Sequence, residues 1–390
     1  MDTAAFDYDL PEARIAQHPV EPRDSARLLV DLGPSADTVT GPGCGHLRVR
    51  DLAARLDPGD IVVVNTTRVM PARLRLVKGT GGVAEVLLLE RRAGDGRSGT
   101  WEALVRPGKR LRPGTVLTDR AGGDVLRAVV GADVGEGVRL VELEAGGGDL
   151  LDAIEQVGEI PLPPYITEPL GDPDRYQTVY SDLEHPDSSA APTAGLHLTA
   201  DLFEVMADRG ITVAEVELVV GLGTFRPIEV DRVEDHRMHR ERYRVPQSTL
   251  DACHRAHEQG SRVVAIGTTA VRALESAAAT GHLEGHTDLF IREGFAFQVV
   301  DRLLTNFHLS RSSLLVMVDA FAGPRWRQLY AAAVTGDYRF LSFGDAMLLT
   351  RHDRWTAVAS PHELPGELQG GPADKLPGEL PGRSETDGRP

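Results

Sequence analysis

Two imidazoles three residues apart are the first chemically suggestive feature of the chain. In Glu234-Asp235-His236-Arg237-Met238-His239-Arg240-Glu241, helical backbone would put His236 and His239 on one face. Imidazoles titrate near neutrality, so a pair of them among carboxylates suits general acid–base catalysis. The spacing also matches two metal ligands, but no third ligand is evident, and no metal is expected. A solvated charged stretch is the plain alternative.

Three further segments place polar groups beside apolar runs, where loops commonly carry function. Asn65-Thr66-Thr67-Arg68, continuing to Arg73, follows the apolar run Ile61–Val64 and offers an amide, two hydroxyls and two guanidiniums. Pro192-Thr193-Ala194-Gly195-Leu196-His197 combines small residues, which let backbone amides approach a ligand, with an imidazole. Gly267-Thr268-Thr269-Ala270-Val271-Arg272 reads as a strand–glycine–helix turn whose free amides favour an anion or a carboxylate. It lacks the glycine spacing of a dinucleotide site or a P-loop. Thr305-Asn306-Phe307-His308 and Ser342-Phe343-Gly344-Asp345 add polar groups that, taken alone, read as structural.

These segments sit in an alternation of strands and helices. Thr199–Arg209 is expected to be a helix capped by Thr199 and ended by Gly210, and Ile211–Val220 a strand. Ser248–Gln259 is expected as a helix, Arg262–Ile266 as a buried strand, Ala270–Ala279 as a helix and Ser312–Phe321 as another. Between Arg73 and Glu144 the texture changes to short β-rich runs separated by glycine clusters, which suggests a small antiparallel barrel. The fold class expected is an α/β body, residues 1–70 and 148–355, with an inserted barrel at 71–147. Residues 356–390 are rich in Pro, Gly and Glu and are expected to be a disordered tail.

Composition narrows the function classes. The 390 residues carry 42 basic and 58 acidic side chains, a net charge of −16, which argues against a general nucleic-acid coat. Local basic clusters stand out at Arg68, Arg73, Arg75 and Lys78, at Arg106, Lys109, Arg110 and Arg112, and at Arg237, Arg240, Arg242 and Arg244. A general preference for arginine over lysine explains each cluster, taken alone, equally well. Two cysteines, Cys44 and Cys253, are too few for a disulfide framework or an iron–sulfur cluster. There is no run of 18 apolar residues and no secretory signal, so a cytoplasmic protein without membrane contact is expected.

The stretches GDIVVVNTTRVMPARL, GEIPLPPYI, RYQTVYS, AAPTAGLHL, GLGTFRPI, EDHRMHRERY, VVAIGTTAVRALESA, VVDRLLTNFHL and YRFLSFGDAM run in order along the chain. Together with FDYDLPEARIAQHPVEPRDSARLLV they resemble the S-adenosylmethionine:tRNA ribosyltransferase-isomerase family, makers of epoxyqueuosine in tRNA. The resemblance implies an α/β domain with an inserted β-barrel. It also implies transfer of the ribosyl part of S-adenosylmethionine to 7-aminomethyl-7-deazaguanine in the tRNA anticodon loop, releasing adenine and methionine. S-adenosylmethionine would be a co-substrate, with no other cofactor, and the protein would act as a monomer.

Proton transfer would fall to His236, His239 and His197, with Asp235 orienting one ring. Asn65, Arg68, Arg73, Thr193, Gly195, Gly267, Thr268, Thr269, Arg272, Asn306 and His308 would bind substrate, the arginines holding the methionine carboxylate or tRNA phosphates. The chain departs from the family pattern at Val219, where a histidine is usual, and at Thr66, Leu198, Ser310 and Arg292-Glu293. These departures keep two alternatives open: a paralogue acting on a small deazapurine, and a non-catalytic RNA-binding relative.

Overall fold

The computed structural model describes residues 1–33, 43–135, 137–182, 186–221 and 227–354. The expected tail, beginning at residue 356, and most of the GLGTF stretch lie outside the described residues.

The strands, in chain order, are β1 (Arg27–Asp31), β2 (Cys44–Arg48), β3 (Ile61–Asn65), β4 (Arg68–Val69), β5 (Arg73–Lys78), β6 (Val83–Gly94), β7 (Ser98–Arg106), β8 (Val116–Thr118) and β9 (Leu126–Gly135). They continue as β10 (Val138–Ala145), β11 (Gly158–Glu159), β12 (Pro186–Ser188), β13 (Thr212–Leu218), β14 (Glu241–Arg244), β15 (Val263–Ile266), β16 (Glu284–Thr287), β17 (Arg302–Asn306) and β18 (Ala346–Thr350). The helices are α1 (Leu150–Val157), α2 (Ala200–Asp208), α3 (Gln247–Glu258), α4 (Thr268–Thr280), α5 (Ser313–Ala322) and α6 (Trp326–Thr335).

A nine-stranded sheet runs β16-β14-β13-β3-β15-β17-β18-β1-β2. Its centre, β13-β3-β15-β17, is parallel, and every residue of β3, β15 and β17 is buried. That burial accounts for the continuous apolar runs IVVV and VVAI, since a parallel sheet is covered on both faces. Alternate residues feed two cores. Ile61, Val63, Ala265 and Leu303 pack with helices α3 to α6. Val62, Val64, Ile266 and Leu304 pack on the other face with Leu202 and Met206 of α2. Thr199 caps α2 by accepting from Leu202 N–H at 3.2 Å, as its side chain and position predict.

The second sheet is antiparallel, in the order β11-β5-β6-β7-β10-β9-β8, and β8 also pairs with β5, so six of its strands form a closed ring. Leu74, Leu76, Val86, Trp101, Leu117, Leu126 and Leu143 fill its interior, with Leu150 and Ile154 of α1 completing that core. The alternation of buried and exposed residues along β7 matches this one-sided burial. Among the described residues no helix is long and apolar enough to cross a membrane.

Candidate functional site

A pocket opens at the ends of β15 and β17. There β15 stops at Ile266, Gly267 turns the chain at φ +87°, and α4 begins at Thr268 with no side chain capping it. A left-handed residue at this junction suits glycine. The uncapped helix presents its first amide N–H groups, and the positive end of its dipole, toward the pocket. The Thr269 hydroxyl is buried in a residue lining the pocket and has no hydrogen-bond partner among the described residues.

Facing α4 is the short 3₁₀ turn Thr193–His197. Thr193 Oγ1 donates to Asn306 Oδ1 at 2.9 Å, which orients the Asn306 amide and leaves its Nδ2 buried without an acceptor. A buried donor left unpaired costs about 1–3 kcal/mol, so two such groups facing one cavity point to a ligand that completes them. His308 lies 3.0 Å from Thr305 Oγ1 through Nε2, and burial pushes its pKa down to about 3, so it is neutral at physiological pH. Tyr165 Oη and Ser342 Oγ, 2.7 Å apart, form another wall. The rest is largely apolar: Val220, Phe307, Leu309, Leu314 and Leu341.

The pocket therefore gathers Thr193, Gly267, Thr268, Thr269, Asn306 and His308 from three distant parts of the chain. Gly195 and His197 stand directly behind it. A Cβ at Gly195 would lie 1.9 Å from Tyr180 Oη, so the turn can approach its support only without a side chain. His197 is buried, with Nδ1 3.1 Å from Ala194 O and Nε2 2.9 Å from Gly344 O. Burial lowers its pKa, and its ring ties the Thr193–His197 turn to the loop carrying Ser342 rather than opening on the pocket.

Other expected residues are placed apart. Asn65 uses its side chain on backbone, donating to Leu218 O and accepting from Leu218 and Thr67 N–H at 3.0–3.2 Å. Arg272 is buried one turn into α4, ion-paired with Glu241 and donating to Leu289 O. Burial lowers its pKa to about 10. Glu241 also accepts from Gly221 N–H at 3.0 Å, so this pair braces α4 against β14 rather than reaching the pocket. Arg68 and Arg73 line a separate cleft between α1 and the segment Ile160–Asp174. The two spaces adjoin, for Tyr165 faces the pocket and Ile166 the cleft.

The histidine pair is not on one helical face. After the 3₁₀ turn Val233–Asp235 the chain extends from His236, because the turn does not propagate. His236 packs edge-on against Phe290, 5.4 Å between centroids, and its pKa is lowered by burial and then by His239. His239 lines another cleft with Glu90, Glu102, Arg242 and His286. Asp235 is exposed and makes no hydrogen bond to either ring. Val220 faces the pocket while its neighbours Val219 and Gly221 face the His239 cleft, so one strand end separates the two. Sequence reasoning passes over Tyr165 and Ser342 as pocket residues. Their only signal was membership of two polar-bearing motifs.

The sequence profile of the queuosine biosynthesis protein family matches residues 3–349. A protein of Desulfitobacterium hafniense named S-adenosylmethionine:tRNA ribosyltransferase-isomerase is 47% identical, over 88% of this chain and 98% of its own length. Its namesake in Rubrobacter xylanophilus is 48% identical, covering 90% of this chain and 98% of itself. Among solved structures, S-adenosylmethionine tRNA ribosyltransferase from Thermotoga maritima is 36% identical, covers 88% of this chain and 99% of its own, and superimposes with a TM-score of 0.48. On the extent of the profile match and the identity to these relatives, the chain belongs to the queuosine biosynthesis protein family.

Proposed function

We propose that this enzyme transfers the ribosyl moiety of S-adenosylmethionine onto 7-aminomethyl-7-deazaguanine in tRNA, isomerising it to epoxyqueuosine and releasing adenine and methionine. Family membership supports the reaction class. The observation that carries the site assignment is the convergence of the α4 N-terminus, Thr269 Oγ1 and Asn306 Nδ2 on one pocket. Unpaired N–H and O–H donors at a helix N-terminus suit a carboxylate, and the co-substrate's methionine end supplies one. Among the described residues the pocket has no charged side chain, so within them that end is held by dipoles. No other cofactor is needed.

The chemistry requires a base for the proton on the carbon beside the sulfonium and an acid for departing adenine. His236 and His239 are the candidates for these roles, His239 lining the cleft across the strand end from the pocket and His236 packed against Phe290. His197 and Arg272 act as positioning residues, and Arg68 and Arg73 face incoming RNA. The acceptor is the anticodon loop, reached from the cleft side. The protein works as a cytoplasmic monomer built from a discontinuous α/β unit and an inserted barrel. The ring's separate apolar core supports an insert, but its end lies beyond the expected residue 147, since Leu150 and Ile154 of α1 pack in that core and β11 pairs with β5.

The test is incubation of purified protein with S-adenosylmethionine and tRNA bearing 7-aminomethyl-7-deazaguanine, followed by mass spectrometry of digested nucleosides. Epoxyqueuosine with released adenine is expected. Adenine release without modified tRNA would transfer the reading to a small-molecule acceptor.

A further inference from the structure

We infer that the part of the six-stranded ring carrying Lys78 and the β7–β8 loop is a docking surface for the tRNA phosphate backbone, an inference that rests on the tRNA-modifying reading above. Along β5, Leu74 and Leu76 point into the core while Arg73 and Arg75 point outward, and the strand ends at Lys78. At about 3.3 Å per residue, Lys78 stands about 17 Å beyond Arg73. Its Nζ donates to the Arg110 carbonyl at 3.2 Å, which brings the β7–β8 loop to the same place.

That loop is held rather than free. Arg110 N–H donates to Pro107 O at 3.0 Å, Thr115 N–H to Arg112 O at 3.0 Å, and Leu111 is completely buried in the ring's core. Lys109, Arg110 and Arg112 are exposed on this fixed backbone, with Arg106 at the end of β7 beside them. Two of the chain's three lysines are here.

What singles the group out is its electrostatics. In a chain with net charge −16, Lys78, Arg106, Lys109, Arg110 and Arg112 take part in no ion pair among the described residues. Even Glu85, the register partner of Arg106 on β6, forms none with it. Elsewhere arginines are commonly matched, as Arg244 is by Glu217 and Arg262 by Asp57 and Asp60. Grouped cations that repel one another, on a surface lining neither the pocket nor the two clefts, do not describe a small-molecule site. They suit a polyanion whose charges are spaced along a chain, where contacts release counterions and fix position without reading sequence.

The test is the triple variant K109Q/R110Q/R112Q, whose altered side chains are exposed. Binding of tRNA is measured across a salt series, with turnover in parallel. The tRNA Kd is expected to rise about tenfold near physiological salt, and the slope of log K against log salt to fall by about 2–3. The kcat at saturating tRNA and the KM for S-adenosylmethionine stay at wild-type values. An unchanged Kd and slope, or a loss confined to kcat, would overturn the surface. Should the wild type bind tRNA without modifying it, the proposed reaction falls while the salt slope still decides the surface. A wild type that does not bind tRNA overturns both.

Discussion

The strands β3, β15 and β17 are buried along their whole length, yet their two ends are finished in opposite ways. Below β3, Asp60 accepts from Arg262 N–H at 2.9 Å and from Arg262 Nη2 at 2.8 Å, and Arg262 also reaches Asp57 at 2.6 Å. Next to it, Asp301 accepts from Val263 N–H at 3.0 Å and lies 2.7 Å from His257 Nε2. Above the same strands sit uncharged groups, and two of them, Thr269 Oγ1 and Asn306 Nδ2, face empty space. One end turns charged groups on one another and stabilises the fold. The other keeps its hydrogen-bonding capacity open for a ligand, at a cost borne by the surrounding structure.

Four perturbations break or sharpen this contrast. Asp60→Ala removes the acceptor of several donors at once and is expected to cost about 2–4 kcal/mol. Urea unfolding reads the loss, while the folded variant keeps wild-type affinity for S-adenosylmethionine. Asn306→Ala is expected to do the reverse. Affinity for S-adenosylmethionine falls about 10- to 30-fold by calorimetry, with free-protein stability changed by less than about 1 kcal/mol in either direction. A destabilisation as large as that of Asp60→Ala would erase the distinction between the ends.

Acid separates the ends further. His308 is held neutral down to about pH 3 in the fold, whereas an unfolded chain takes up that proton near the ordinary imidazole value of 6.5. Its contribution is therefore fully present above pH 6.5 and is lost as pH falls toward 3, by at most about 1.4 kcal/mol per pH unit. Urea midpoints between pH 7 and pH 4.5 should decline less steeply in His308→Gln than in the wild type; equal slopes would remove His308 from the account. The smallest effect concerns His236, whose pKa is lowered by burial and by His239. Because His239 is itself a candidate for proton transfer, the readout is the residual activity: replacing His239 with Asn should move the acid limb of its kcat/KM profile to higher pH if His236 is the base. An unmoved limb would detach that residue from proton transfer.

These outcomes bear on what a linear sequence can convey. The turn at Gly267 was legible because an apolar run, a glycine and a helical pattern are all local signals. The walls opposite it were not, since Tyr165, Thr193, Asn306 and Ser342 meet only through sheet order. Residue type also misled at Arg272. A guanidinium near a helix start suggests an anion site, but its place on the helix turns it toward Glu241. At His236 and His239 the spacing fitted a helix, and the chain adopts an extended path. The ring of strands was readable as β-texture with glycine turns, whereas its closure through β5 and β8 is a long-range pairing that no local pattern carries.

The strand order has a consequence for biosynthesis. Emerging from the ribosome, the nascent chain can complete the small ring once Ala145 has appeared. By contrast β3 waits for partners at Thr212 and Val263, and Leu28 of β1 waits for Ala346. Until β13 has emerged, the apolar strand IVVVN has no neighbour, and its second arrives only with β15. Such contacts form slowly and leave sticky edges exposed meanwhile. A message truncated even shortly before β18 would thus yield an aggregating fragment with one well-folded module, rather than a weakened enzyme.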